Sequence, residues 1–388
     1  MSMDFDITFF LIGLPIAFLI GWLASRLDVR QLSIENKQAP KAYFKGLNFL
    51  LNEQQDQAID AFIEAVQKDP DTSELHFALG NLFRRRGEYE RAVRVHEHLL
   101  LRGDLSERDH QRAQHALAID YLKAGILDRA EVELFKLEGT PFETEAQLAL
   151  LANFERGRDW VQATHIAEKL EYSQPGVFRT RLAHYLCEQA LSLASQGKTN
   201  SHVNQLLKKA IGLAPHAARA RIVLANLLEQ QGELVLAYDE LAQAISFSPK
   251  NAPLVALELA KIAKFSIKNA DAITLLKGAY EKSPSLDVLD AIIALKNNSQ
   301  LNELQGHDMY VTHLELHQSL VAATKWLSSE KFERHQHHPK IQETLELASL
   351  PLSRYRCAAC GFETHQYFWH CPGCQTWDSF PALRVGEM

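Results

Sequence analysis

Residues 75–100 read LHFALGNLFRRRGEYERAVRVHEHLL. Two apolar-periodic runs flank the Gly87 turn: Leu79, Gly80 and Phe83 before it, Ala92 and Leu99 after it. The spacing is helical rather than alternating, so the stretch predicts a helix-turn-helix whose small residues mark the crossing of the two helices. Stepping back 34 positions finds the pattern again, with Gly46 under Gly80 and Ala58 under Ala92. That earlier unit reads Gly46, Phe49, Ala58, Phe62, Ala65 and Pro70. A proline just after the second helix cannot continue it and closes the unit.

Downstream the pattern recurs with drift. Leu117, Ala118, Tyr121, Gly125, Ala130 and Leu134 form a third unit after a four-residue insertion. Leu150, Phe154, Ala163 and Ala167 form a weaker fourth, and Leu207, Ala210 and Pro215 mark the second helix of a fifth. The sixth is clear again (Leu224, Ala225, Leu228, Gly232, Ala237, Leu241, Ala244, Pro249), and Leu259, Ala260, Ala272, Leu276, Ala279 and Pro284 follow as a seventh. A helix-turn-helix period of this length resembles the tetratricopeptide repeat (TPR), whose units each leave an apolar face that stacking buries. The expected fold is an all-α TPR solenoid of about seven repeats with capping helices. First-helix residues line the inner face of such a stack, which makes Asn81, Arg84, Arg85, Asn226 and Gln230 candidates for partner binding. Ordinary solvation of an exposed helix face is the competing reading of each.

Beyond residue 285 the repeat fades, but 286–350 still reads as helical and suits a cap. His335, His337 and His338 precede Pro339; a polar turn is the expectation there, since histidines hold metal only when their geometry converges. Cys187 stands alone and reads as a small buried hydrophobe in its helix.

The four remaining cysteines crowd the end of the chain, in YRCAACGFETHQYFWHCPGCQTWDSF. Cys357, Cys360, Cys371 and Cys374 are spaced C-x2-C-x10-C-x2-C, which presents four thiolates to one tetrahedral metal ion. Zinc and iron both accept such a set. Gly361 can take the left-handed backbone that the first turn needs, whereas Gln375 replaces the matching glycine of the second. Tyr355, Phe362, Phe368, Trp369 and Trp377 are expected to form an aromatic layer, with His365 and His370 on the surface. A disulfide pairing is the alternative, disfavoured in a reducing compartment.

From Ile7 to Ala24 the sequence ITFFLIGLPIAFLIGWLA carries no charge, enough for a single membrane-spanning helix. Asp4 and Asp6 precede it and no Lys or Arg does, unlike a cleavable signal peptide. Arg26 and Arg30 follow it, so the positive-inside rule puts the bulk of the chain in the cytoplasm. The chain of 388 residues has a formal charge of −7, which argues against nucleic-acid binding. The expected organisation is an anchor at 1–25, a juxtamembrane linker at 26–38, repeats at 39–284, a helical extension at 285–350 and the four-cysteine domain at 351–388.

This order of parts resembles the lipopolysaccharide assembly protein B family, and the closest-looking segments are GWLASRLDVRQL and YRCAACGF…YFWHCPGC. The resemblance implies a non-enzymatic adaptor at the cytoplasmic face of the bacterial inner membrane, modulating lipopolysaccharide biosynthesis. It implies as partners the membrane protease FtsH, the lipid A deacetylase LpxC and lipopolysaccharide transport or assembly proteins, and leaves self-association open. It implies a knuckle docked against the repeats, and a rubredoxin-like site in which iron is favoured and zinc is the alternative. The competing functions are a TPR assembly factor for another envelope complex and a rubredoxin-type redox protein, since a fold alone does not decide function.

Overall fold

Gly87, Gly125 and Gly232 each take a positive φ (80°, 77° and 83°) at the turn between two helices of a repeat, a backbone that costs glycine nothing. Arg158 and Ile267 hold the same left-handed conformation, at φ 57° in both, where the fourth and seventh repeats turn. For a residue with a Cβ this costs roughly 1–2 kcal/mol. The repeats that drift in sequence therefore keep the turn and bear strain where the glycine is missing.

The computed structural model describes residues 44–49, 51–52, 54–68, 72–197, 200–296, 303–329 and 338–388, with Phe18 and Trp22 ahead of them. The chain divides into two compact units at Arg158 and Asp159. In the first, a helical stretch at 44–49 precedes α1 (Gln55–Lys68), α2 (Ser73–Arg85), α3 (Tyr89–Leu100), α4 (Glu107–Ala124), α5 (Leu127–Phe135) and α6 (Glu143–Gly157). The small residues lie at the crossings as the repeat pattern requires: Ala58, Ala92 and Ala130 are fully buried. Phe62, Leu79, Phe83 and Leu99 fill the layers between successive pairs.

At Gly80 the approach of α2 to α3 is closest. A Cβ built there would stand 2.5 Å from the ring of His96, itself wholly buried and held through Nδ1 by the Asp120 carboxylate. That ring has no room to yield, so Gly80→Ala is expected to destabilise the first unit by about 1–3 kcal/mol despite its better helix propensity. Urea denaturation followed by circular dichroism measures this, and an unchanged or raised midpoint would show that the two helices can part without cost.

The second unit runs through α7 (Trp160–Ser173), α8 (Arg179–Ser195), α9 (Asn200–Leu213), α10 (Ala218–Gln230), α11 (Leu234–Phe247), a 3-10 segment (Pro249–Leu254), α12 (Ala256–Phe265) and α13 (Asn269–Lys282). One continuous core joins α8 to α14 (Leu286–Lys296), and Cys187 lies in it, fully buried, its thiol pushed up to about 12 by burial. The extension continues as α15 (Glu303–Leu316), α16 (Leu320–Ser329) and α17 (His338–Ser349). His338 thus opens a helix rather than ending a polar turn, because Pro339 is tolerated in a helix's first turn; His335 and His337 lie outside the described residues. The stretch 7–24 also lies outside them except for Phe18 and Trp22, both helical and exposed. Among the described residues no helix is long and apolar enough to cross a membrane.

Candidate metal centre

A short antiparallel pair, β1 (Tyr355–Arg356) and β2 (Glu363–Thr364), brackets the first CxxC turn, with Tyr355 opposite Thr364 and Arg356 opposite Glu363. Within the turn the Gly361 N–H donates to the Cys357 carbonyl at 2.9 Å, with Gly361 at φ 77°. The second turn copies the first. Gln375 donates its N–H to the Cys371 carbonyl, also at 2.9 Å, and takes φ 58° where glycine was expected. The departure visible in the sequence thus leaves the geometry intact at a strain of roughly 1–2 kcal/mol.

The two turns face each other and bring their sulfurs together. Cys357 Sγ lies 3.8 Å from Cys374 Sγ, Cys360 Sγ lies 3.7 Å from Cys371 Sγ, and all four fall within 4.8 Å of one another. A tetrahedral ion with thiolates at about 2.3 Å sets its sulfurs about 3.8 Å apart, so the four residues fit one metal ion. Burial raises the Cys357 thiol, but the Ser379 hydroxyl and the N–H groups of Cys360 and Ala359 outweigh it and bring it down to about 6. The Thr376 hydroxyl chiefly lowers Cys374. The chain's own donors therefore favour the thiolate, the form that binds metal, at one cysteine of each turn. Among the described residues no other cluster of three or more His, Cys, Asp or Glu ligand atoms converges in this way.

The aromatic layer differs in part from the expectation. Phe362 is 41% exposed, because it follows Gly361 on the outer side of the turn. The centre belongs instead to Tyr367 and Phe380. Tyr367 packs edge-on to Tyr355, Trp369 and Phe380, and its hydroxyl donates to the Phe380 carbonyl at 3.1 Å. His370 is not a free surface residue: its ring stacks on Trp377 at 4.4 Å and its Nε2 donates to the Gln375 carbonyl.

Trp377 carries the knuckle onto the repeats of the second unit. Its indole stacks on His184 of α8 at 4.7 Å and meets Trp160 of α7 and Tyr185 edge-on, both at 5.9 Å. Next to it, Asp378 accepts a hydrogen bond from His184 Nε2 at 2.8 Å, and the Arg219 guanidinium of α10 lies 5.6 Å from the indole. A second attachment is made by the tail. Arg384 donates from Nε and Nη2 to both oxygens of Asp287 on α14, at 3.1 and 2.9 Å, and Glu387 accepts from the Leu286 N–H at the start of that helix. Bidentate pairing of this kind is among the stronger and more directional polar contacts. Sequence reasoning missed Trp160, His184, Arg219, Asp287 and Arg384, none of which the repeat pattern marks.

The five candidate partner residues fall in two places. Arg84 is turned inward: it donates to Asp120 Oδ1 at 2.8 Å and to the Ala116 carbonyl at 3.0 Å, and pairs with the Asn81 side chain. Arg85, beside them, is exposed. In the second unit Asn226 and Gln230 are exposed and line a cleft of about 410 Å³ with Ile222, Leu254, Glu258 and Lys261.

Comparisons with known proteins agree with this architecture. A rubredoxin metal binding domain profile matches residues 355–381, and tetratricopeptide repeat profiles match 75–110 and 187–252. The chain is 30% identical over 385 residues to lipopolysaccharide assembly protein B of Escherichia coli K12, covering 96% of this chain and 97% of that protein. It is 29% identical over 408 residues to the protein of the same name from Haemophilus influenzae strain Rd, covering 96% and 98%.

Proposed function

The chain belongs to the lipopolysaccharide assembly protein B family, and on that premise we propose that it is a non-enzymatic, membrane-anchored adaptor modulating lipopolysaccharide biosynthesis. The observation that carries the reading is the match along nearly the whole chain, which takes in the repeats and the metal knuckle together. The repeats offer helix faces to protein partners, and the knuckle with its tail ties the first helices of the second unit to α14. Residues 7–24 anchor the chain in the inner membrane with its bulk on the cytoplasmic side.

In this reading the adaptor presents the lipid A deacetylase LpxC to the membrane protease FtsH. Cys357, Cys360, Cys371 and Cys374 hold the metal ion, iron by rubredoxin resemblance, with zinc as the alternative that the same sulfurs accept. The four thiolates would hold the ion and so tie the two CxxC turns together, while the chain's own groups do the docking: Trp377 and Asp378 against α7 and α8, Arg384 and Glu387 against α14.

Depleting the protein in cells and following the deacetylase by immunoblot after translation is stopped tests the pathway. The expected result is a long-lived deacetylase and accumulating lipopolysaccharide, reversed by the full chain and not by one lacking residues 1–25. An unchanged half-life would remove the pathway, and full rescue by the truncated chain would remove the anchoring.

A further inference from the structure

We infer that the cleft between α10 and α12 takes an extended peptide segment that pairs an apolar side chain with a basic one; the inference rests on the adaptor reading and specifies its ligand. The floor of the cleft is apolar, built by Ile222, Leu241, Leu254 and Val255. Asn226 and Gln230 stand on its rim, four residues apart on α10. Both are exposed, and neither side-chain amide has a hydrogen-bond partner among the described residues.

Their spacing suits a polypeptide backbone. Side chains at this separation on a helix sit about 5–6 Å apart. Alternate residues of an extended chain, which present their N–H and C=O groups to the same edge, repeat at about 6.8 Å. Each amide offers one acceptor and two donors, so it can serve an N–H and a C=O of the same ligand residue at once. Two such pairings one turn apart hold a strand in register and ask nothing of its side chains.

Charge supplies the side-chain preference. Glu229 of α10 and Glu258 of α12 converge on Lys261, whose Nζ donates to both at 2.8 and 3.1 Å. Two carboxylates against one ammonium leave the wall one negative charge in excess. A lysine or arginine of the ligand joining the pair neutralises it, while an acidic residue there is repelled. The volume of about 410 Å³ leaves space for an apolar side chain on the floor beside the basic one.

The test is a displayed library of randomised heptapeptides panned against the full chain. Enriched peptides are expected to carry Lys or Arg within two positions of an aliphatic residue. Their binding, read by fluorescence anisotropy with the synthetic peptide, is expected to fall about tenfold in the Asn226→Ala/Gln230→Ala chain. N-methylating alternate backbone nitrogens of the peptide is expected to do the same. Glu258→Gln is expected to weaken the preference for the basic residue and to lower the salt dependence of binding. Circular dichroism and metal content identical to the parent confirm that each variant is folded. Absence of enrichment, an acidic consensus, or full binding by the double variant would each overturn the inference. Such a failure leaves the adaptor reading standing, whereas an unchanged deacetylase lifetime on depletion removes that reading and leaves the cleft.

Discussion

A Cys371→Ser chain is expected to lose its metal and, with it, the folded state of residues 351–388. Cys371 is fully buried, with its Sγ 3.7 Å from Cys360 Sγ, and a serine hydroxyl is a harder and far less acidic donor than the thiolate it replaces. The knuckle has little else to hold it. Its buried core is Tyr355, Cys357, Cys371 and Phe380, two of which are themselves ligands. Domains of fewer than about 40 residues generally need a metal or disulfides, and a structural zinc site supplies roughly 10–16 kcal/mol at neutral pH. Metal content is therefore expected to drop from one ion per chain to near zero. Limited proteolysis is expected to open cuts within 351–388 while the helical units persist, and tryptophan emission to shift red as Trp369 and Trp377 become solvated. An unchanged digestion pattern in a metal-free variant would mean that Trp377, Arg384 and Glu387 hold the knuckle in place by themselves.

The second large effect is expected in the first unit, from Asp120→Ala. Asp120 is wholly buried on α4, with Arg84 Nη1 on one oxygen and His96 Nδ1 on the other. Removing the carboxylate leaves a guanidinium and an imidazole without the acceptor they share, and such a loss costs about 3–5 kcal/mol. The exposed pair between Arg112 and Glu74 is the internal control, since Glu74→Ala is expected to cost under about 1 kcal/mol. Equilibrium denaturation of both variants reads the difference. Equal small losses would show that water enters to solvate Arg84, and that the side chain is then free for a partner after all.

The repeat was legible wherever it is enforced by contact. Ala58, Ala92 and Gly80 have no room for a larger residue, so the period survives at those positions. It fades at Arg158 and Ile267, exposed turn residues that hold the left-handed backbone in place of glycine. The four cysteines were legible for a similar reason: tetrahedral geometry allows few spacings. The inward turn of Arg84 was not, because periodicity places a residue on a helix face but does not say what the next repeat lays over that face. The docking was implied by resemblance alone, and the residues that make it carry no sequence mark. Trp377 and His184 touch across a separation of 193 residues (377 − 184), which no local pattern encodes. Tyr367 lies in the spacer between the two cysteine pairs and Phe380 six residues beyond the last cysteine, and aromatic content by itself does not rank them above Phe362.

The tail attachment bears on the order in which the molecule can be completed. Glu387 accepts from the first N–H of α14, about a hundred positions earlier. Asp287 likewise waits for Arg384. In synthesis from the N-terminus, α14 is made before Arg384 and Glu387, so Asp287 gains its cation only when these later residues arrive. A chain lacking residues 384–388 would leave Asp287 and the Leu286 N–H without these partners, so the closing of α14 depends on residues made about a hundred positions after it.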